Sequence, residues 1–208
     1  MRTATRQYTQ RARAEATEAT GRRIVEAFLA RLMAQWFDEI TLDQVAADAG
    51  VTVQTVVRRF GGKEGLLSDA VKTLAPQIKA RRAAPPGDID QLVENLLADY
   101  EETGDAVVRL LALEPRHPVL KTVLDFGRRS HREWTRSAFA VVLDTLEAQT
   151  REHALDALVI VTDVYTWKLL RRDMGRSVRA TAGTMKNLIR ATITEIENKK
   201  PNSNELKG

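Results

Sequence analysis

Between Ile40 and Phe60 the chain sets down two short helical patterns with almost nothing between them, and this spacing narrows the folds open to it more than any other feature. Thr41-Leu42-Asp43-Gln44 reads as a capping box, in which the threonine hydroxyl and the glutamine amide each satisfy a free backbone N–H. Behind it Leu42, Val45, Ala46 and Ala49 form an apolar stripe, and Gly50 stands where a helix closing on a left-handed residue wants it. Thr52 is the next N-cap, and Val53 to Phe60 again makes only about two turns. At about 100° per residue Val56 and Phe60 fall together, flanked by Val53 and Val57, while Gln54, Thr55 and Arg58 occupy the opposite arc. Upstream, Ile24, Ala27, Phe28 and Leu32 mark one face of a helix running to about Gln35.

Two short helices joined by a tight glycine turn make a helix-turn-helix, whose second helix can enter the DNA major groove. Gln and Arg on its outer face suit base readout, Gln with adenine and Arg with guanine. Taken alone, the same helix also reads as an ordinary amphipathic one. The ordered set Ile40-Thr41-Leu42, Val45-Ala46, Ala49-Gly50-Val51-Thr52, Thr55, Arg58, Phe60 and Lys63-Glu64-Gly65-Leu66-Leu67 resembles the DNA-binding domain of the TetR family of transcriptional repressors. The resemblance implies a phosphate contact for Thr41, recognition-helix contacts for Thr52, Gln54, Thr55 and Arg58, and a second phosphate contact for Lys63. Where the family usually has aromatic residues, this chain has Val57 and Arg59. Arg59 can replace an aromatic backbone contact with a charged one.

The net charge of +4 is unevenly spread. Residues 1–82 hold fourteen Lys or Arg against nine Asp or Glu, and the remainder eighteen against nineteen. The excess positive charge therefore belongs to the first module, as a basic DNA-binding head or simply a solvated basic surface. Ala83 to Asp90, with two prolines and a glycine, is the one linker-like segment. No alternating β-branched run occurs, so the reading is all-α. It divides into a basic N-terminal arm (1–17), a three-helix helix-turn-helix domain (18–82), a helical ligand-binding and dimerisation domain (83–197) and a flexible tail (198–208). Arg2, Arg6, Arg11 and Arg13 make the arm either a mobile, sequence-independent DNA contact or a basic tail that touches nothing specific.

Beyond the linker, helices are expected at about Ile89 to Thr103, Asp105 to Leu113, Val119 to Thr150, Arg151 to Arg172 and Val178 to Glu197, with turns at Gly104, around Pro115 and Pro118, and at Gly175. Ala154 to Leu170 is apolar on nearly every side and needs neighbours around most of its circumference. The resemblance implies a four-helix dimer interface, placed here on Val159 to Leu170, Asp163 and Trp167 included, and on the last helix at Met185, Leu188, Ile189 and Ile193. A two-fold dimer suits a palindromic operator. Asp156 and Asp163 within the apolar run are either paired buried acids or ligand-facing groups. The resemblance also implies an effector pocket for an apolar or aromatic small molecule, with Tyr100, Leu111, Phe126, Trp134, Phe139 and Tyr165 as candidate lining, each also readable as plain core.

The chain has no cysteine, which excludes thiolate metal sites and disulfides and agrees with a cytoplasmic setting. The longest apolar run, Ala157 to Val161, is far short of a membrane span. The arginine-bearing N-terminus has no apolar h-region before Gly21, so no secretory signal is expected. Phe60-Gly61-Gly62-Lys63-Glu64 fails as a P-loop at Val57 and Glu64. His117, His131 and His153 have no metal-ligand spacing, and Ser130-His131 point apart on a helix. No cofactor, metal or catalytic residue is expected. The leading expectation is a ligand-released homodimeric repressor; a constitutive regulator or activator, and an all-α enzyme or interaction module, are the alternatives.

Overall fold

The computed structural model describes residues 2–198, with side chains described from residue 14 onward and at Arg11. The tail expected over 198–208 therefore lies almost wholly outside the described residues, as do the side chains of Arg2, Arg6 and Arg13. Among the described residues the secondary structure is helical throughout, with no strand.

The first helix, α1, runs from Arg2 to Ala34, so the segment read as an arm continues the backbone of the head's first helix. A single 3-10 turn at Phe37–Glu39 leads to α2 (Leu42–Ala49) and α3 (Val53–Phe60). The capping box forms as its sequence dictates: Gln44 N–H donates to Thr41 Oγ1 (3.2 Å) and Thr41 N–H donates to Gln44 Oε1 (2.9 Å). Gly50 closes α2 at φ 64°, the left-handed conformation in which a Cβ would be costly. α4 (Lys63–Arg81) then carries the chain out of the head.

After the Ala83–Asp88 crossing, α5 (Ile89–Leu113) is capped by the Asp88 carboxylate, which accepts from Gln91 N–H at 3.0 Å. It passes unbroken through Gly104, where a turn was expected. The glycine serves packing instead: a Cβ there would lie 2.5 Å from the Trp167 ring. The remaining elements are α6 (Pro118–Ala138), the short α7 (Ala140–Leu143), α8 (Ala148–Thr162), α9 (Val164–Lys168) passing into a π-helical turn at Leu169–Asp173, and α10 (Val178–Asn198). The two long helices expected over 119–150 and 151–172 are thus broken. Asp163 makes the second break: extended at ψ 153°, it accepts from Tyr165 N–H (2.8 Å) as the N-cap of α9. Its carboxylate draws the backbone into a new start, which competes with helix continuation.

Two hydrophobic cores result, and they do not divide at the linker. The head core, built on Ile24, Phe28, Val45, Val56 and Leu66, takes in Leu110 and Leu113 from α5 and Leu120 and Leu124 from α6. The body core begins on α5 with Leu92 to Tyr100 and adds Phe139, Leu155, Trp167, Met185 and Ile189. Leu111 touches both. Helix α5 is therefore shared, its first half in the body and its last turns in the head.

Because the Trp167 ring lies against Gly104, Gly104→Ala forces the indole away and is expected to destabilise the chain by about 1–3 kcal/mol. Urea unfolding checks this; a variant as stable as the parent contradicts the close approach.

Candidate nucleic-acid interface

The outer face of α3 leaves Gln54 and Arg58 exposed, with Val57 exposed between them. Val56 opposite them is wholly buried. This is the separation that the periodicity of Val53–Phe60 requires. Thr52 caps α3, its Oγ1 accepting from Thr55 N–H at 3.3 Å and lying 3.0 Å from Thr55 Oγ1. Both hydroxyls thus sit at the helix N-terminus, where free N–H groups and the helix dipole favour an anion. Thr41 holds the same position on α2. Thr41 and Thr52 thus start the two short helices that the Gly50 turn joins, and Gln54, Thr55 and Arg58 follow on the second.

Two expected phosphate ligands are used elsewhere. Lys63 Nζ donates to the carbonyls of Phe37 (3.0 Å), Ile40 (3.0 Å) and Asp38 (3.4 Å), and sits 4.6 Å from the Phe37 ring centroid. It gathers carbonyls of the 3-10 turn and its end, of which Phe37 O also accepts from Ile40 N–H; burial pushes its ammonium below the ordinary lysine range, and the charge of Asp38 partly restores it. Arg59 turns from the expected DNA side towards α1, donating from Nη1 to Thr17 O at 2.9 Å. Its guanidinium lies against Gly21, where a Cβ would come within 2.3 Å. Neither partner was legible in the sequence, because the contacts join segments 23 to 42 residues apart. Arg22 and Arg23, exposed on α1 beside this contact, were not singled out.

The head meets the body through arginines. Arg109 on α5 donates from Nη2 to Leu32 O (3.1 Å) and Met33 O (2.8 Å), occupying carbonyls at the end of α1. At the other end of the junction Arg81 and Arg82, where α4 ends, both grip Asp99 of α5, at 2.7 and 2.6 Å. The Asp99 side chain has no exposed surface. Arg82 also stacks on Tyr100 (4.8 Å), and its Nη1 lies 3.5 Å from His131 Nδ1 on α6. His131 Nε2 in turn lies 3.1 Å from Thr162 Oγ1 at the end of α8, whose proton goes to Leu158 O. A polar chain therefore runs Asp99–Arg82–His131–Thr162 from the head's last helix to the break before α9.

Burial, reinforced by the Arg82 charge and opposed by a hydrogen bond to the Val159 backbone, lowers the His131 imidazole to about 4. Asp163 is pushed the other way by burial, with its bond from Tyr165 N–H opposing.

The expected effector-lining residues do not share one space. Tyr100 and Phe139 are buried in the body core, with Tyr100 OH donating to Thr162 O at 3.0 Å. Leu111 and Trp134 are half-buried, and Trp134 Nε1 donates to Arg82 O at 3.3 Å. Phe126 and Tyr165 are exposed. A groove of about 710 Å³ between α5 and α10, lined by Glu94, Leu97, Glu101, Val178 and Lys186 among others, contains none of the six.

Of the expected dimer residues, Trp167, Met185 and Ile189 have no exposed surface and Leu170 is buried, so these four face the subunit's own core. Trp167 Nε1 donates to Glu101 (2.8 Å). Val159 and Ile193 are half-buried, and Asp163 caps α9. Leu188 is exposed, as is Ile160, which lies within the expected Val159–Leu170 seam. Asp156 pairs with Arg132 at 2.6 Å on the surface.

With the head's geometry in view, comparison with known proteins is informative. The sequence model of the family described as bacterial regulatory proteins, tetR family, matches residues 30–70, the end of α1 through the first turns of α4. Over these residues the chain is similar to the DNA-binding domain of that family. A solved TetR-family transcriptional regulator from Streptomyces coelicolor is 16% identical, covering 89% of this chain and 91% of its own, with a TM-score of 0.63. A TetR transcriptional regulator from Rhodococcus sp. RHA1 is 17% identical over 85% of this chain and 96% of its own, with a TM-score of 0.52. At such identities the likeness is one of fold. No curated protein sequence matches the chain. The matching family model is described as one of regulatory proteins, and the solved neighbours are transcriptional regulators. No described helix is long and apolar enough to cross a membrane.

The neutral His131 gives a pH signature. Its folded value of about 4 lies below the ordinary 6.5, so its contribution is complete above about pH 6.5 and is lost as pH falls towards 4, because the unfolded chain takes up the proton first. A depression of this size corresponds to about 3 kcal/mol. Urea unfolding at pH 7 and pH 4 is expected to show a loss of that order that His131→Asn reduces; the same loss in both proteins contradicts the assignment. Lys63→Met is expected to cost about 1–3 kcal/mol of stability by removing the ammonium donor from the Phe37, Asp38 and Ile40 carbonyls. Unchanged stability with weakened DNA binding restores the phosphate role instead.

Proposed function

We propose that this TetR-family regulator is a homodimeric repressor that reads a palindromic operator and releases it on binding a small molecule. The observation that carries the DNA part is the exposed Gln54–Arg58 face, which follows the Thr52 N-cap on a module with a positive balance. Base edges are addressed by Gln54 and Arg58 and phosphates by the caps at Thr41 and Thr52, supported by Thr55. Arg59 and Lys63 hold these elements in place.

The dimer surface proposed is the unpartnered apolar face of α8 and α10 that includes Ile160, two-thirds exposed, and Leu188. Ala157, Val161 and Thr184 lie beside them in register. From the original set Leu188 is kept at the seam, with Val159 and Ile193 at its edge. Trp167, Leu170, Met185 and Ile189 support the face from beneath. Two such subunits place two recognition helices for half-sites about one helical turn apart.

For effector release, the support is the Arg82–Asp99 junction: a ligand that favours a different position of α4 weakens DNA binding by its differential affinity for the two states. A constitutive regulator is the second reading, favoured by the separation of the six expected lining residues between core and surface. Screening small apolar and aromatic compounds for a shift in thermal unfolding, then for loss of DNA binding, decides between them.

Arg58→Ala is expected to cost about 1–3 kcal/mol on the preferred duplex and to relax its base preference. Equal weakening on all duplexes contradicts base readout by Arg58. The double variant Ile160→Arg, Leu188→Arg is expected to sediment as a monomer at micromolar concentration. A variant that stays dimeric moves the seam elsewhere.

A further inference from the structure

In α3, a helix of about two turns, almost every side chain has a partner or a task, and Val57 is the exception. Val56 is wholly buried, Val53 and Phe60 are half-buried against the head core, Thr55 is held at the Thr52 cap and Arg59 is used on α1. Val57 is 43% exposed, and among the described residues of the head Trp36 is the one other large apolar side chain left in solvent. An exposed valine gains nothing from burial, and its branched Cβ makes it a poorer helix former than alanine, arginine or glutamine. What it does supply is a rigid surface. In a helix it holds largely one χ1 rotamer, so its methyls point in a fixed direction.

The neighbours of Val57 decide what that surface meets. At about 100° per residue Val57, Gln54 and Arg58 share one outward arc, roughly 100° wide, with Gln54 in the middle. Along the axis Val57 stands about 4.5 Å beyond Gln54 and about 1.5 Å before Arg58, so a duplex that meets those two side chains also meets Val57. In the major groove guanine, adenine and cytosine are marked by hydrogen-bonding groups, whereas thymine adds its C5 methyl. A valine set against a polar edge removes water from it and returns no hydrogen bond. Set against the thymine methyl it buries apolar area on both sides.

We infer that Val57 is a specificity-determining residue that selects thymine through its C5 methyl, within about two base pairs of the pair addressed by Arg58. The inference rests on the DNA-binding reading and adds an apolar reader to the hydrogen-bonding pair Gln54 and Arg58. Continuity with that exposed pair selects a base edge as the occupant, and the absence of any polar atom on the valine side chain selects the base that carries a methyl.

The test uses the duplex that the full-length protein selects from a random pool, with each thymine replaced singly by deoxyuridine. That replacement removes the C5 methyl and keeps the O4 acceptor and the pairing with adenine. The parent is expected to bind about three- to fivefold more weakly when a thymine beside the base pair relaxed by Arg58→Ala is replaced, the effect of losing one methyl contact. Val57→Ala leaves the head core intact. It is expected to bind the thymine duplex more weakly than the parent by about the same factor, and to bind the thymine and deoxyuridine forms nearly equally. A merely structural role for Val57 weakens both forms alike and keeps the methyl preference, which overturns the assignment. A parent that binds the selected duplex but is indifferent to every replacement, or responds only at thymines beyond the reach of Arg58, also overturns it while leaving the DNA-binding reading standing. Absence of binding by the parent to any duplex overturns the DNA-binding reading itself, and the role of Val57 with it.

Discussion

Asp99 is a carboxylate with no exposed surface, and two successive arginines at the end of α4 neutralise it. A buried acid left without its partners is severely costly, so the end of α4 is tied to α5. The consequences reach both parts of the molecule. Arg82, once placed, stacks on Tyr100, accepts Trp134 against its carbonyl and reaches His131. Helix α5, once fixed at that end, delivers Leu110 and Leu113 into the head core and Arg109 to the end of α1. The head is thus attached at two points on one helix, and its orientation is set by polar contacts as much as by apolar burial.

That arrangement suits a regulated DNA-binding head. Apolar packing tolerates small slips, whereas an ion pair with fixed geometry has a defined made state and a costly broken one. Moving α4 relative to α5 means rearranging Arg81, Arg82 and Asp99 together, and the polar chain through His131 joins that cluster to Thr162 at the end of α8. The covalent linker at 83–88 only joins the parts; the noncovalent junction along α5 decides how they sit.

Much of the head was legible in the sequence because its signals are local. Thr41 and Gln44, or Thr52 and Thr55, lie three residues apart, and the turn at Gly50 needs one left-handed residue. The helical class of the body was legible for the same reason. What was not legible depended on distant partners. Lys63 and Arg59 looked like DNA ligands because their carbonyl partners at Phe37, Ile40 and Thr17 cannot be read from spacing. Gly104 looked like a turn because the indole of Trp167, sixty-three residues later, was invisible. Likewise, the apolar run at 154–170 contained Asp163, read as an oddity; its carboxylate ends one helix and starts another, which rotates Trp167 and Leu170 into the core and leaves Ile160 outside.

The central claim is that the Gln54–Arg58 face of α3 reads DNA sequence as part of a two-fold pair. Selection of duplexes from a random pool by the full-length protein, followed by sequencing of the bound fraction, tests it most directly. The account predicts enrichment of a two-fold symmetric site with half-sites centred about 34–36 Å apart. Recovery of a pool no more ordered than the starting one would contradict it.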